Sequence, residues 1–192
     1  MPILSRILLP ALLLVVSAAP VVAQTPPPAS AAVSKSISGI LTKDQVAALL
    51  PPSVYFRGQS APIQARNSAG IRFAPDALML ITLVDTSGYS SGIQQRYQAY
   101  LLTEVPLDVA GHTLPPGAYG VGFIANDTFL VMDIGAHQLF TTKDTHDAEL
   151  RRPTPLQILP DAGHADSYRL YAGRSYVVFT AKPLAGTAPQ SH

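Results

Sequence analysis

The chain has 192 residues, 47% of them hydrophobic and 13% charged, with 13 basic against 12 acidic side chains and no cysteine. Apolar content this high with almost no net charge excludes a wholly disordered chain. The lack of cysteine excludes disulfides, thiol nucleophiles and Cys-ligated zinc or iron–sulfur centres, and a balance of +1 gives no polybasic footprint for nucleic acid or an anionic membrane.

At the N-terminus, Arg6 precedes the apolar run Ile7–Val16, and Val21 and Ala23 stand at the −3 and −1 positions of a cleavage site after Ala23. This is the pattern of a secretory signal over residues 1–23. The run, interrupted by Pro10, is shorter than the roughly 20 residues a membrane span needs, so no span is expected once the signal is removed. Loss of Arg6 leaves 12 basic and 12 acidic residues in a mature chain of 169. The expected destination is the periplasm or the exterior. Residues 24–36, rich in Pro, Ala and Ser, read as a flexible linker. Residues 37–182 read as one β domain and residues 183–192 as a disordered tail.

Within the domain, Thr42 and Gln45 match a capping box, Leu41 can staple onto Val46, and Pro51-Pro52 ends the pattern, which predicts a short N-terminal helix. Strand-like text follows. Val54–Phe56 is β-rich, and Pro62–Ala65 and Ile71–Phe73 flank a turn-rich break, Arg66–Gly70. Ala77–Val84 is a continuous apolar run of strand length. Arg96–Glu104 alternates, with Tyr97, Ala99, Leu101 and Thr103 on one face, although Ile93, Tyr97, Tyr100 and Leu101 also share a helical face. Leu107–Val109 runs into a turn at Ala110-Gly111-His112, and Leu114–Gly117 leads into Ala118–Ile124. Ala125-Asn126-Asp127 separates that strand from Thr128–Asp133. Asp144–Arg152 predicts one or two helical turns ended by Pro153, and Pro155–Leu159 is extended. Ser167–Tyr171 and Ser175–Ala181 pair across Ala172-Gly173-Arg174. Turn signals every 8–12 residues, without a βαβ rhythm, predict a mainly β fold: a single antiparallel β-sandwich or small barrel-like domain with a short N-terminal helix. The strands are too short and too often broken by Pro for a transmembrane barrel.

Two passages carry a resemblance. Gly111–Tyr119 is similar to the G-x-x-L-P-x-G-x-Y hairpin of secreted bacterial β-domain families of unknown function, and Arg169–Val177 resembles a closing hairpin of proteins of the same kind. Each covers nine residues. The resemblance implies an exported β-sandwich-like domain and brings no catalytic residue with it. The hairpin motif is mostly turn geometry, with Pro setting φ and Gly permitting positive φ.

Three constellations could carry chemistry. Gly88-Tyr89-Ser90-Ser91-Gly92 matches the G-x-S-x-G nucleophile elbow, which needs a buried strand before it and a helix after it. Ser90 with Asp133 and His137 would then form a serine hydrolase triad, with His146, His164 and Asp161 as other downstream partners. The competing identity is a Gly/Ser loop between strands, and about 169 residues without βαβ units is little chain for the sheet that holds such an elbow. Asp133, His137, Asp144, His146, Asp147 and Glu149 form a set of N and O ligands for a divalent metal. They lack an H-x-x-x-H or H-x-H pair, and the acids equally suit a helix start, so no metal is assigned and no cofactor is called for. Finally, Tyr97, Tyr100, Tyr119, Tyr171 and Tyr176 lie in or beside strands, where exposed Tyr gives rigid, amphipathic binding area and buried Tyr simply packs across strands. The arginines, including Arg66, Arg151, Arg169 and Arg174, look dispersed. The sequence reads as an exported non-enzymatic binding or structural module with an unknown envelope or extracellular partner, a small serine hydrolase using Ser90 being the alternative.

Overall fold

The computed structural model describes residues 39–182; the segments expected as a signal (1–23), a linker (24–36) and a tail (183–192) lie outside the described residues. In chain order the elements are β1 (Gly39–Ile40), α1 (Lys43–Leu49), β2 (Ser53–Phe56), β3 (Gln59–Ala74), β4 (Ala77–Val84), α2 (Ser91–Gln94), β5 (Ala99–Thr103), β6 (Leu107–Val109) and β7 (His112–Leu114). They continue with β8 (Gly117–Ile124), β9 (Thr128–Met132), β10 (Gln138–Lys143), β11 (Thr145–His146), β12 (Gln157–Pro160), β13 (Ser167–Ala172) and β14 (Ser175–Ala181). The fold is mainly β, built from two antiparallel sheets in a sandwich-like arrangement. The larger sheet runs β1-β3-β4-β5-β8-β9-β10, with β2 on β3; the smaller runs β12-β13-β14-β6-β7, with β11 on β14. No helix among the described residues is long and apolar enough to cross a membrane.

Alternation builds the core between the sheets. Ile71, Met79, Ile81, Leu101, Val121, Phe129 and Val131 of the large sheet meet Leu107, Leu114, Ile158, Leu170, Val177 and Phe179 of the small one. The large sheet is also covered on its outer face. Leu130 and Met132, which alternate with Phe129 and Val131, pack in a second cluster with Val54, Phe56, Tyr89, Ile93 and Tyr97. Because both faces are buried, Phe129–Met132 of β9 reads as an unbroken apolar run, FLVM. The second cluster depends on Gly120 and Gly122, where a Cβ would lie 2.4 Å from Phe56 Cε2 and 2.2 Å from the Arg96 carbonyl oxygen. Glycine here marks close approach of a covering segment to the strand.

The N-terminal helix forms as expected. Gln45 N–H donates to Thr42 Oγ1 at 3.3 Å and Thr42 N–H to Gln45 Oε1 at 2.9 Å, and Val46 is fully buried. Four expectations are corrected. Arg66–Gly70 does not break the chain, because β3 runs through it as a sixteen-residue strand. Gln64 pairs with Leu83 and Ser68 with Thr82, so Ala65, Arg66 and Asn67 bulge out while the strand continues. The strand inside Arg96–Glu104 starts only at Ala99, and Tyr97, one turn beyond α2, packs in the outer cluster rather than beside Ala99 and Leu101. His112 opens β7, opposite Val109, because Ala110 and Gly111 alone, both at positive φ, make the turn. Asp144–Arg152 forms no helix: Thr145 and His146 pair with β14. β10, which no sequence signal announced, extends the large sheet beside β9.

Candidate binding cleft

The hairpin β13–β14 turns through Gly173-Arg174, setting Tyr171 opposite Tyr176 and Arg169 opposite Val178. Leu170, Val177 and Phe179 point into the sandwich core, so Arg169, Tyr171 and Tyr176 share the outward face of the small sheet. A strap crosses this face. From β11 on one flank of β14, the chain passes over the hairpin and enters β12 on the far side of β13.

The strap is held at both ends. Asp147 N–H donates to the Arg174 carbonyl at 2.9 Å and Gly173 N–H donates to the Thr154 carbonyl at 3.1 Å. Arg174 Nη1 donates to the carbonyls of Asp147 at 3.2 Å and Ala148 at 2.8 Å. Asp147 carries the turn that displaces the expected helix: its Oδ1 accepts from Glu149 N–H at 3.1 Å, and its Oδ2 accepts from the Tyr171 hydroxyl at 2.8 Å. The Tyr171 hydrogen bond holds the Asp147 carboxyl below its ordinary range, and burial raises the Tyr171 phenol. Tyr171 is 1% exposed.

Between strap and sheet lies a cleft of about 550 Å³, within the size range of small-ligand sites. Its walls are His146–Arg151 of the strap, Leu159, Pro160 and Ala162, and the outward residues Arg169, Tyr171 and Tyr176. Arg169 is held on two sides. Its Nε donates to Asp161 Oδ1 at 2.7 Å, and its guanidinium carbon stands 4.7 Å over the Tyr176 ring. The Asp161 carboxylate is largely buried, and Arg169 lowers its pKa. The Tyr171 hydroxyl and Asp161 in turn hold the guanidinium firmly charged. The result is an oriented cation with a carboxylate and an aromatic face behind it.

The residues proposed from the sequence are distributed as follows. Tyr171 and Tyr176 meet in this cleft, with ring centroids 5.0 Å apart. Tyr97 and Tyr119 are core residues: Tyr97 stacks on Phe56 at 3.8 Å, and the Tyr119 hydroxyl donates to the Pro115 carbonyl at 2.8 Å. Tyr100 lines a separate apolar hollow of about 350 Å³ beside Leu49 and Tyr55. Asp133 and His137 do meet. The Asp133 carboxylate accepts from Gly135 N–H and His137 N–H and lies 2.9 Å from His137 Nδ1, in the exposed turn joining β9 to β10. That contact closes a turn.

Ser90 is exposed at the N-cap of the four-residue α2, with an ordinary extended backbone (φ −62°, ψ 153°). β4 ends at Val84, well before it, so the strained strand–turn–helix of a nucleophile elbow is not formed. Tyr89 explains the motif differently: it is buried, and its hydroxyl donates to the carbonyls of Phe56 at 3.0 Å and Gln59 at 3.3 Å. The Gly- and Ser-rich flanks let the loop carry that plug. Among the described residues no hydrogen bond joins Ser90 to a histidine, and no three His, Asp or Glu side chains converge as metal ligands. His146, Asp147 and Glu149 of the proposed metal set instead line the cleft, while Asp144 is buried with its Oδ1 unpartnered.

The arginines that looked dispersed are what the sequence reading missed. Arg151, Arg169 and Arg174 all gather around the strap. The signal for Arg169 was present, since hairpin register and strand parity put it on the face of Tyr171 and Tyr176. No protein-family model, curated protein or solved structure matches the chain.

Proposed function

We propose that this is an exported, non-enzymatic β-sandwich module that binds a component of the cell envelope in the cleft under the strap. The observation that carries this reading is Arg169, a cation held by Asp161 and the Tyr176 ring on the wall of a 550 Å³ cleft. A partly buried ion pair of this kind is a costly way to stabilise a sheet surface, and it supplies the rigid polar group that ligand sites use to set orientation. Export is supported by the N-terminal pattern of Arg6, the apolar run and Ala23. The hydrolase alternative draws no comparable support, because no hydrogen bond joins Ser90 to a histidine among the described residues and the strained elbow it needs is not formed.

The test is co-sedimentation of the purified chain with isolated bacterial envelope fragments. Retention of the wild type, with about tenfold weaker retention of Arg169→Ala, is expected for the loss of one central anchor. No retention, or equal retention of both, overturns the reading.

A further inference from the structure

We infer that the ligand of the cleft is an uncharged, hydroxyl-rich chain: a neutral oligosaccharide. This rests on the reading of the cleft as the binding site, and its basis is the balance of groups around it. Three guanidinium groups, Arg151, Arg169 and Arg174, are interleaved with three carboxylates, Asp147, Glu149 and Asp161. An anionic ligand entering the cleft meets Asp147 and Glu149, and a cationic one meets Arg151 and Arg169. Neither charge is complemented, and a mature chain with equal basic and acidic counts supplies no long-range field to steer either.

A sugar hydroxyl has the opposite requirement. It donates one hydrogen bond and accepts others, so it is well satisfied where a donor and an acceptor stand close together. Guanidinium is donor-only and carboxylate is acceptor-only. Glu149 and Arg151, two positions apart on the strap, are exposed and make no side-chain hydrogen bond among the described residues, which leaves both free for a ligand. Arg169 offers donors from the opposite wall, at a guanidinium already oriented by Asp161. Leu159, Pro160 and Ala162 supply apolar wall for the C–H face of a pyranose ring. Alternating polar edges and apolar patches match the amphipathic surface of a sugar better than that of a compact ion.

Saturation-transfer difference NMR on the full chain tests this, using maltotriose, cellotriose and tri-N-acetylchitotriose as neutral probes and trigalacturonate as the charged one. The expected result is saturation of at least one neutral trisaccharide, reduced about tenfold in both Glu149→Gln and Arg151→Ala. These exposed strap positions leave the core untouched. Arg66→Ala, in the β3 bulge, should leave the signal unchanged. Three results overturn the inference: no transfer to any neutral probe, stronger transfer to trigalacturonate, or transfer that both strap variants retain. If envelope retention still depends on Arg169 while the neutral probes fail, the sugar assignment falls and the binding reading stands. If retention is absent as well, both fall.

Discussion

At the scale of single residues, two positions show that small changes in occupied space or charge have large effects in this fold. Gly122 lies where a Cβ would come within 2.2 Å of the Arg96 carbonyl oxygen, a backbone atom that cannot step aside as a side chain can. Gly120 faces the Phe56 ring, which is held in a stack with Tyr97. Gly122→Ala is therefore expected to cost about 3 kcal/mol or more, and Gly120→Ala about 1–3 kcal/mol, both read from urea unfolding midpoints. Equal, negligible losses would mean the covering loop shifts freely. Asp144 is the charged counterpart. It is 8% exposed with Oδ1 unpartnered, and burial raises its carboxyl above the ordinary value. The folded state thus binds this proton more tightly than the unfolded chain. The ionised group is destabilising at neutral pH; the penalty shrinks as pH falls through the raised folded-state value and is gone below the unfolded value of about 3.9. Asp144→Asn should raise the melting temperature by a few degrees, about 1 kcal/mol, at pH 7 and by less at pH 4. A lower melting temperature at pH 7 would show that the carboxylate is stabilised by partners.

At the scale of elements, local chemistry decided some structures and was overruled in others. α1 follows from its own residues: Thr42 and Gln45 satisfy each other's backbone N–H, and Val46 docks against Gly70 and Leu80 of the large sheet. Thr42→Ala should cost about 1 kcal/mol in equilibrium unfolding. A change near zero would place the helix's stability wholly in its docking. The strap shows the reverse. Its acids look like a helix start, yet Asp147 spends both oxygens elsewhere, on Glu149 N–H and the Tyr171 hydroxyl, and its N–H goes to Arg174. Those partners lie more than twenty residues away, except for Glu149, so no local pattern announces them. Arg66–Gly70 misled for a related reason, since turn-forming residues also make a bulge when a neighbouring strand holds the chain on both sides.

At the scale of the whole molecule, the large sheet serves both hydrophobic clusters. β4 gives Met79 and Ile81 to the inner cluster and Val84 to the outer, and β9 gives Phe129 and Val131 inward and Leu130 and Met132 outward. Neither cluster keeps its sheet if the other is lost, so the domain should unfold in one transition. Far-UV circular dichroism and tyrosine fluorescence should give coincident curves, as two-state behaviour requires. An earlier fluorescence change would show the outer cluster, with Tyr89 and Tyr97, melting alone. The β class, the capped helix and most hairpins are legible in the chain alone, because caps, turns and strand alternation act within a few residues of one another. Folding alone settles which tyrosines are buried, that Gly120 and Gly122 lie beneath a covering segment, that Arg151, Arg169 and Arg174 gather at the strap, and that the strap meets β13–β14 to form a cleft. Those outcomes depend on contacts between segments distant in the chain, and residue spacing carries no record of such encounters.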